Sequence, residues 1–321
     1  MSLNNILKVI RKNKSFLIST HVNPDPDALA SELALALFLK FLHKEVRIVN
    51  EEAVPRRFKF LPKVHLIGLY NAHDRRNYDV VIILDCGDLD RIGQVKKLIN
   101  PRKMIINIDH HVTNDRFGHL NWVKPGGSST AELLFDLLKQ FKCPLTKDMA
   151  TLLYLGVMTD TGSFCYETTS SHTHAVVSEL LKYKIPITEL YRKLYESVPL
   201  NDFRLFSKVV GHFETFFGRK VACIELSKKI FSKFSQDFDL RDKIFKYLRT
   251  IKGLEVVVIL TEYKPSLTRV NLRSQGSVDV AKIAHRLNGG GHSRASGCIL
   301  EENLSGARRK ILLVLKKYFK S

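Results

Sequence analysis

Asp109-His110-His111 sets one carboxylate and two imidazoles in a row, and three further clusters, His21 to Asp27, Asp85 and Asp160, supply more of the same groups elsewhere in the chain. Hard carboxylate oxygens mixed with a few imidazoles suit manganese or magnesium better than zinc or an iron–sulfur centre. Asp25, Asp27, Asp85, Asp109 and Asp160 gathered on one rim would repel one another strongly unless cations neutralised them. Two divalent metals about 3.5–4 Å apart, sharing one bridging carboxylate, would flank the attacking and leaving oxygens of a phosphoester. Any one of these acids also reads as an ordinary strand-end or turn residue; the coincidence of five points to chemistry.

Each cluster follows an apolar run that must position it. Met104-Ile105-Ile106-Asn107-Ile108 is short and β-branched, so it reads as a buried strand carrying Asp109-His110-His111 at its C-terminal end. Phe16-Leu17-Ile18 precedes His21 to Asp27, Val80 to Leu84 precedes Asp85, and the helix-like run Leu152 to Met158 precedes Asp160. In open α/β sheets ligands collect at the carboxyl ends of the strands. Ala28 to Leu42 is apolar almost all round and predicts a helix buried on most faces. Its N-terminus, with free N–H groups, stands beside Asp25 and Asp27; turn and N-cap chemistry is the plainer account of these two acids while the segment is taken alone. Further helices are predicted over 2–13, near 94–99, up to about Phe141 and over Lys147 to Met158, with strands at Val46 to Val49 and Asp79 to Leu84 and loop-like basic sequence between them. Ser128, Ser129 or Thr130 caps the helix that ends near Phe141, with Glu132 placed to reach back to Ser129. Such alternation predicts a mostly parallel sheet with helices on both faces.

The 321 residues exceed one ordinary core and predict two α/β domains. The first spans 1–185, a helical linker with breakers Pro186 and Pro199 spans 186–214, and a smaller second domain spans 215–321. In that domain strands are predicted at Lys220 to Leu226, Glu255 to Glu262, Thr268 to Leu272 and Ala295 to Leu300, helices near 239–251 and at Val278 to Leu287, and a loop at Gly289-Gly290-Gly291-His292. The glycines serve either a tight turn or a backbone lining for a phosphate or base. The formal net charge of +19 draws polyanions such as nucleotides, although a basic solvated surface gives the same balance. Five scattered cysteines with no Cys-x-x-Cys pair suggest neither a disulfide framework nor a zinc ribbon, and a reducing cytosol is their natural home. No stretch approaches the roughly 18 apolar residues of a membrane span.

Taken as an ordered set, His21-x-x-x-Asp25-x-Asp27, Asp85, Asp109-His110-His111 and Asp160-Thr161-Gly162 resemble the four motifs of the DHH phosphoesterase family. Gly289-Gly290-Gly291-His292 with Ala295-x-Gly297 resembles the signature of its associated C-terminal domain. Within the family the two-domain layout is most similar to the NrnA-type enzymes, which degrade very short RNA and dephosphorylate adenosine 3′,5′-bisphosphate. Cyclic- and linear-dinucleotide phosphodiesterases are the next reading and a RecJ-like exonuclease the third. A non-catalytic nucleotide-binding module stands apart from these, since every expected ligand position is filled.

The resemblance implies a cytoplasmic phosphodiesterase using two Mn²⁺ ions, with Mg²⁺ as the alternative, on short RNA oligonucleotides, dinucleotides and adenosine bisphosphate; it leaves room for a homodimer. It implies His21, Asp25 and Asp85 on one metal and Asp27, Asp85, His110 and Asp160 on the other, with Asp85 as the bridge. Asp109 is then the partner that fixes the His110 ring, and His111 the general acid or phosphate contact, with a structural histidine as its other reading. Arg273 and Ser274 resemble the family's phosphate-gripping pair, the arginine fork suiting a terminal phosphate. Gly289, Gly290, Gly291 and His292 would add to that grip, across an active-site cleft between the domains. One position departs from the pattern: the family usually has a small residue between the two acids, and this chain has Pro26, whose φ of about −65° fits only where φ is already negative.

Overall fold

The apolar runs ahead of the acidic clusters fold as neighbouring strands in a computed structural model, which describes residues 3–74, 76–142, 144–235 and 238–319. The chain divides into two units, Met1–Glu196 and Ser197–Ser321, so the division falls within the stretch 186–214. The first unit runs α1 (Leu3–Lys12), β1 (Ser15–Ser19), α2 (Pro26–Phe41), β2 (Glu45–Asn50), β3 (Ile67–Leu69), β4 (Val80–Leu84), β5 (Met104–Asp109), β6 (Leu120–Val123), α3 (Thr130–Gln140), α4 (Lys147–Asp160), α5 (Ser171–Leu181) and α6 (Ile187–Tyr195).

Its six strands are all parallel, in the order β3-β2-β1-β4-β5-β6. The order reverses between β1 and β4, and at such a switch point a crevice opens beyond the carboxyl ends of the strands. β4 is buried along its whole length, which is why its sequence is a continuous run rather than an alternation. Phe16, Ile18, Ile82 and Leu84 face one layer with α2, α3 and α4, whereas Leu17, Val81 and Ile83 face another with Ile92 and Val95. α2 is apolar all round because it is enclosed by β2, α3 and α4. Pro26 stands in the first turn of α2, where its missing N–H has no helical partner to lose, and Asp25 caps that turn. The proline therefore suits the loop.

Two edge strands, β3 and β6, lie outside the predicted set. β3 has only three residues, and β6 is half-buried throughout and so shows no apolar run. Near 94–99 a 3₁₀ stretch, Leu89–Leu98, kinks at Gly93 in place of the expected helix.

The second unit runs α7 (Leu200–Val210), β7 (Glu214–Phe216), β8 (Val221–Leu226), α8 (Lys228–Phe231), α9 (Leu240–Leu248), β9 (Val256–Lys264), β10 (Leu267–Ser274), α10 (Val280–His285), β11 (Gly290–His292), β12 (Ala295–Leu300) and α11 (Leu304–Leu315). Its mixed sheet has the order β11-β12-β10-β9-β8-β7, with β8 and β9 parallel and the other pairs antiparallel. One face packs from β8 to β12 beneath Ile283 of α10 and Ala307, Ile311 and Leu315 of α11. The other face is covered over β8 and β9 by Phe206 of α7 and Ile244, Phe245 and Leu248 of α9. Among the described residues no helix is long and apolar enough to cross a membrane.

Candidate metal centre

Three overlapping groups of ligand-type atoms form at the β1/β4 switch point, each within 4.8 Å: His21, Asp25 and Asp85; Asp27, His110 and Asp160; and Asp85, Asp109, His110 and His111. All eight residues singled out for this site in the first unit are thus together. They come from the loop after β1, the start of α2, the ends of β4 and β5, and the last turn of α4.

Asp85 is the centre of the set. It is buried, and its side chain faces His21 Nε2 at 3.7 Å, His110 Nε2 at 3.4 Å and His111 Nδ1 at 3.8 Å. Burial works against its charge, yet the facing imidazoles hold it well below the usual carboxylate range. Its backbone has φ 52°, a left-handed conformation that aspartate tolerates better than most residues and that aims the side chain off the strand end. Asp27 and Asp160 show the opposite effect. Burial, with the charge of Asp85, pushes Asp27 well above its ordinary value and Asp160 up to about 7. A proton there does what a cation would do better.

The imidazoles are oriented for coordination. His21 Nδ1–H donates to Val22 O at 2.8 Å and His110 Nδ1–H to Gly127 O at 3.0 Å; carbonyls only accept, so Nε2 is the atom each ring turns to the site. Burial opposes a proton on Nε2 of His110, yet the facing carboxylates raise its pKa to about 11, and a bound cation would take that proton's place. Asp109 does not fix the His110 ring, contrary to expectation. Its Oδ1 accepts from His111 Nδ1 at 2.7 Å and from the His110 and His111 backbone N–H groups, and its Oδ2 accepts from Asn114 Nδ2 at 2.6 Å. The donor set is hard throughout: Cys86, beside Asp85, has its thiol pushed up to about 12 by burial and offers no thiolate. Carboxylates and neutral imidazoles fit a divalent cation such as manganese or magnesium.

Several contributors were not singled out from the sequence as parts of the site. Asp27 Oδ2 accepts from Thr130 N–H at 2.8 Å and Oδ1 from Ala131 N–H at 3.1 Å, so the N-terminus of α3 holds this carboxylate. The Thr130 hydroxyl donates to Asp85 Oδ1 at 2.9 Å. Gly156 of α4 lies so close that a Cβ there would meet Asp27 Oδ1 at 2.5 Å. Glu32 is fully buried on α2, and burial pushes its carboxyl up to about 8 despite the Asn50 Nδ2 donor at 2.8 Å. Of the three hydroxyls offered as caps it is Ser129 that caps α3, but the Glu132 carboxylate accepts from Ser128 Oγ and Thr173 Oγ1 instead of reaching back to it. Thr130→Val keeps the backbone donor to Asp27 and removes the hydroxyl from Asp85. It is expected to weaken metal binding about 10- to 100-fold with little change in melting temperature, read by calorimetric titration.

In the second unit, Arg273 lies over the Phe245 ring at 4.8 Å and its Nη1 donates to Leu272 O at 3.2 Å. The Ser274 hydroxyl is turned to Val278 O at 2.6 Å. The glycine triplet is not the expected loop: Gly290–His292 forms β11 against β12, because a Cβ on Gly289 would meet Gly297 O at 2.3 Å and only glycine allows that approach. Pairing places Arg273 and His292 in one row through Ala295. The His292 side chain lies outside the described residues.

The family described as DHH family, N-terminal domain, matches residues 15–157, and the DHHA1 domain matches residues 229–321. The chain is 32% identical over 301 residues to the bifunctional oligoribonuclease and PAP phosphatase NrnA of Thermus thermophilus, covering 94% of this chain and 89% of that one. It is 29% identical to the protein of the same name from Bacillus subtilis, with 91% of each chain covered. Among solved structures it is similar to an exopolyphosphatase-related protein from Bacteroides fragilis, with a TM-score of 0.91 at 28% identity over 98% of this chain and 96% of that one.

Proposed function

The chain belongs to the DHH family, and on that footing we propose that it cuts very short RNA to mononucleotides and removes the 3′-phosphate of adenosine 3′,5′-bisphosphate. It is a hydrolase of phosphoester bonds. The observation that carries the reading is the position of Asp85, which faces His21 on one side and His110 on the other.

His21, Asp25 and Asp85 would hold one ion, and Asp27, Asp85, His110 and Asp160 the other; we take manganese as the resident metal. Bound there, such a pair supplies Lewis acidity to a phosphoryl group. His111 is assigned the proton for the leaving oxygen at Nε2, a role supported by the Asp109 hydrogen bond that holds its Nδ1. Burial opposes its protonated form, but the Asp109 partner and the nearby Asp85 charge raise its pKa above the ordinary imidazole value. Arg273 is assigned a terminal phosphate of the substrate. The cytoplasm, where short RNA and nucleotide bisphosphates arise, is the compartment we assign.

Turnover of adenosine bisphosphate, cyclic di-AMP and RNA of two, five and twenty-four nucleotides, at fixed salt and manganese, tests this. Hydrolysis per molecule is expected to fall steeply once RNA exceeds roughly five nucleotides, the reach of one compact site. Processive digestion of the longest strand at the dinucleotide rate, or activity confined to cyclic di-AMP, would overturn the reading.

A further inference from the structure

The half of the second sheet beyond α7 and α9 carries an outward stripe. Residues two apart on a strand share a face, so Arg269, Asn271 and Arg273 of β10 line up there, both arginines exposed. Pairing sets Ile299, Gly297 and Ala295 of β12 beside them, and Gly290 of β11 beside Gly297. A Cβ built on Gly290 meets nothing within 4 Å, so this shelf is open.

The Arg273 end is the phosphate grip assigned above, and the opposite end has features of its own. Arg269 pairs with Thr261 of β9, and Tyr263, 61% exposed, lies two residues further on at a bulge opposite Leu267 and Thr268, near enough to Arg241 for its hydroxyl to act on that charge. Arg241, in the first turn of α9, lies over the Phe231 ring at 5.5 Å. Arg241 stands one turn before Phe245 on α9, and Phe245 is the ring under Arg273, so α9 runs beside β10 and brings Arg241 to the Arg269 corner; in keeping with this, burial and the Arg269 charge lower Arg241 below the ordinary arginine value. Neither is ion-paired among the described residues. Beneath them the buried Thr261 Oγ1 and, along the stripe, Asn271 Oδ1 have no hydrogen-bond partner. Basic residues also outnumber acidic ones more than twofold over 197–321.

Two adjacent guanidiniums attract an anion although the Asp239 carboxylate, which caps α9, offsets part of their charge, and an exposed ring beside them is the pairing that single strands use, phosphate on the cations and base on the ring. We propose that Arg241, Arg269 and Tyr263 form a distal nucleotide subsite, in which the two guanidiniums hold an internal phosphate of a short single strand and Tyr263 stacks on a base. The proposal rests on the short-RNA reading above. Arg269 is four residues from Arg273 along β10, about 13 Å. An oligonucleotide reaches both ends of the shelf and adenosine bisphosphate does not, so the subsite selects for substrate length.

The test uses the full-length manganese-loaded protein and its variants Arg269→Gln, Arg269→Lys and Tyr263→Ala, with equal melting temperatures as the folding control. Tyr263→Ala is expected to raise KM for pentameric RNA about tenfold, the size of one lost base stack, and to leave kcat/KM for adenosine bisphosphate within twofold. For a phosphorothioate pentamer that resists cleavage, the slope of log affinity against log salt should fall by about 0.7 in Arg269→Gln, one phosphate contact, and return in Arg269→Lys. Equal losses on both substrates, or an unchanged pentamer KM and salt slope, would overturn the subsite. If the wild type hydrolyses neither substrate, the assigned activity fails, and the salt slope alone then decides the subsite.

Discussion

Asp85→Asn is expected to lower turnover on the order of a thousandfold or more, with loss of bound metal and retention of the fold. The carboxylate faces three imidazoles and takes the Thr130 hydroxyl at 2.9 Å, so both halves of the ligand set depend on it. An amide removes its charge from both halves at once. Asparagine tolerates left-handed backbone as well as aspartate does, so φ 52° is kept and the strand end is not disturbed. Metal content, kcat and a thermal melt check the result together. Near-wild-type turnover by a folded, manganese-supplemented variant would sink the bridging role.

Gly156→Ala should be nearly as damaging for a different reason. In an open helix the change adds about 1 kcal/mol of stability. On α4 the new methyl would lie 2.5 Å from Asp27 Oδ1 and 2.6 Å from Ala131 Cβ. Overpacking of this kind costs about 1–3 kcal/mol. The easier escape is for Asp27 to leave the Thr130 and Ala131 N–H groups, so metal affinity is expected to fall about 100-fold, as for other losses of ligand orientation. Melts in chelator separate the packing cost from the metal effect. A variant that melts higher and binds metal normally would show that α4 can shift aside.

The sequence announced β1, β4, β5, α2 and α4 because each is a local apolar run with polar residues at its end. Their convergence followed from the parallel order that such alternation imposes. What it could not announce depends on contacts across many residues. Adjacent histidines look alike in sequence, and only the fold determines that Asp109 takes the His111 ring while Gly127 O takes that of His110. Thr130 and Gly156 read as a cap and a helix interior until α2, α3 and α4 are packed together. Tyr263 falls one residue beyond the strand expected at Glu255 to Glu262; β9 runs on to Lys264 past the end of its apolar run, where the strand has left the core and the ring is exposed.

The bonds from the N-terminus of α3 to Asp27 join positions more than a hundred residues apart. Contacts of such separation form late and slow the folding of a parallel sheet. Before they form, the acids are dispersed and well hydrated, and their mutual repulsion burdens only the last stage of assembly. Yet His21, Asp25, Asp27, Asp85, His110 and Asp160 all precede residue 161. On a ribosome that emits domains in order, this set is complete while the second unit is still being synthesised. The candidate metal centre therefore belongs to the part of the chain that matures first, and an ion captured there would steady a nascent protein before the residues proposed to grip substrate exist.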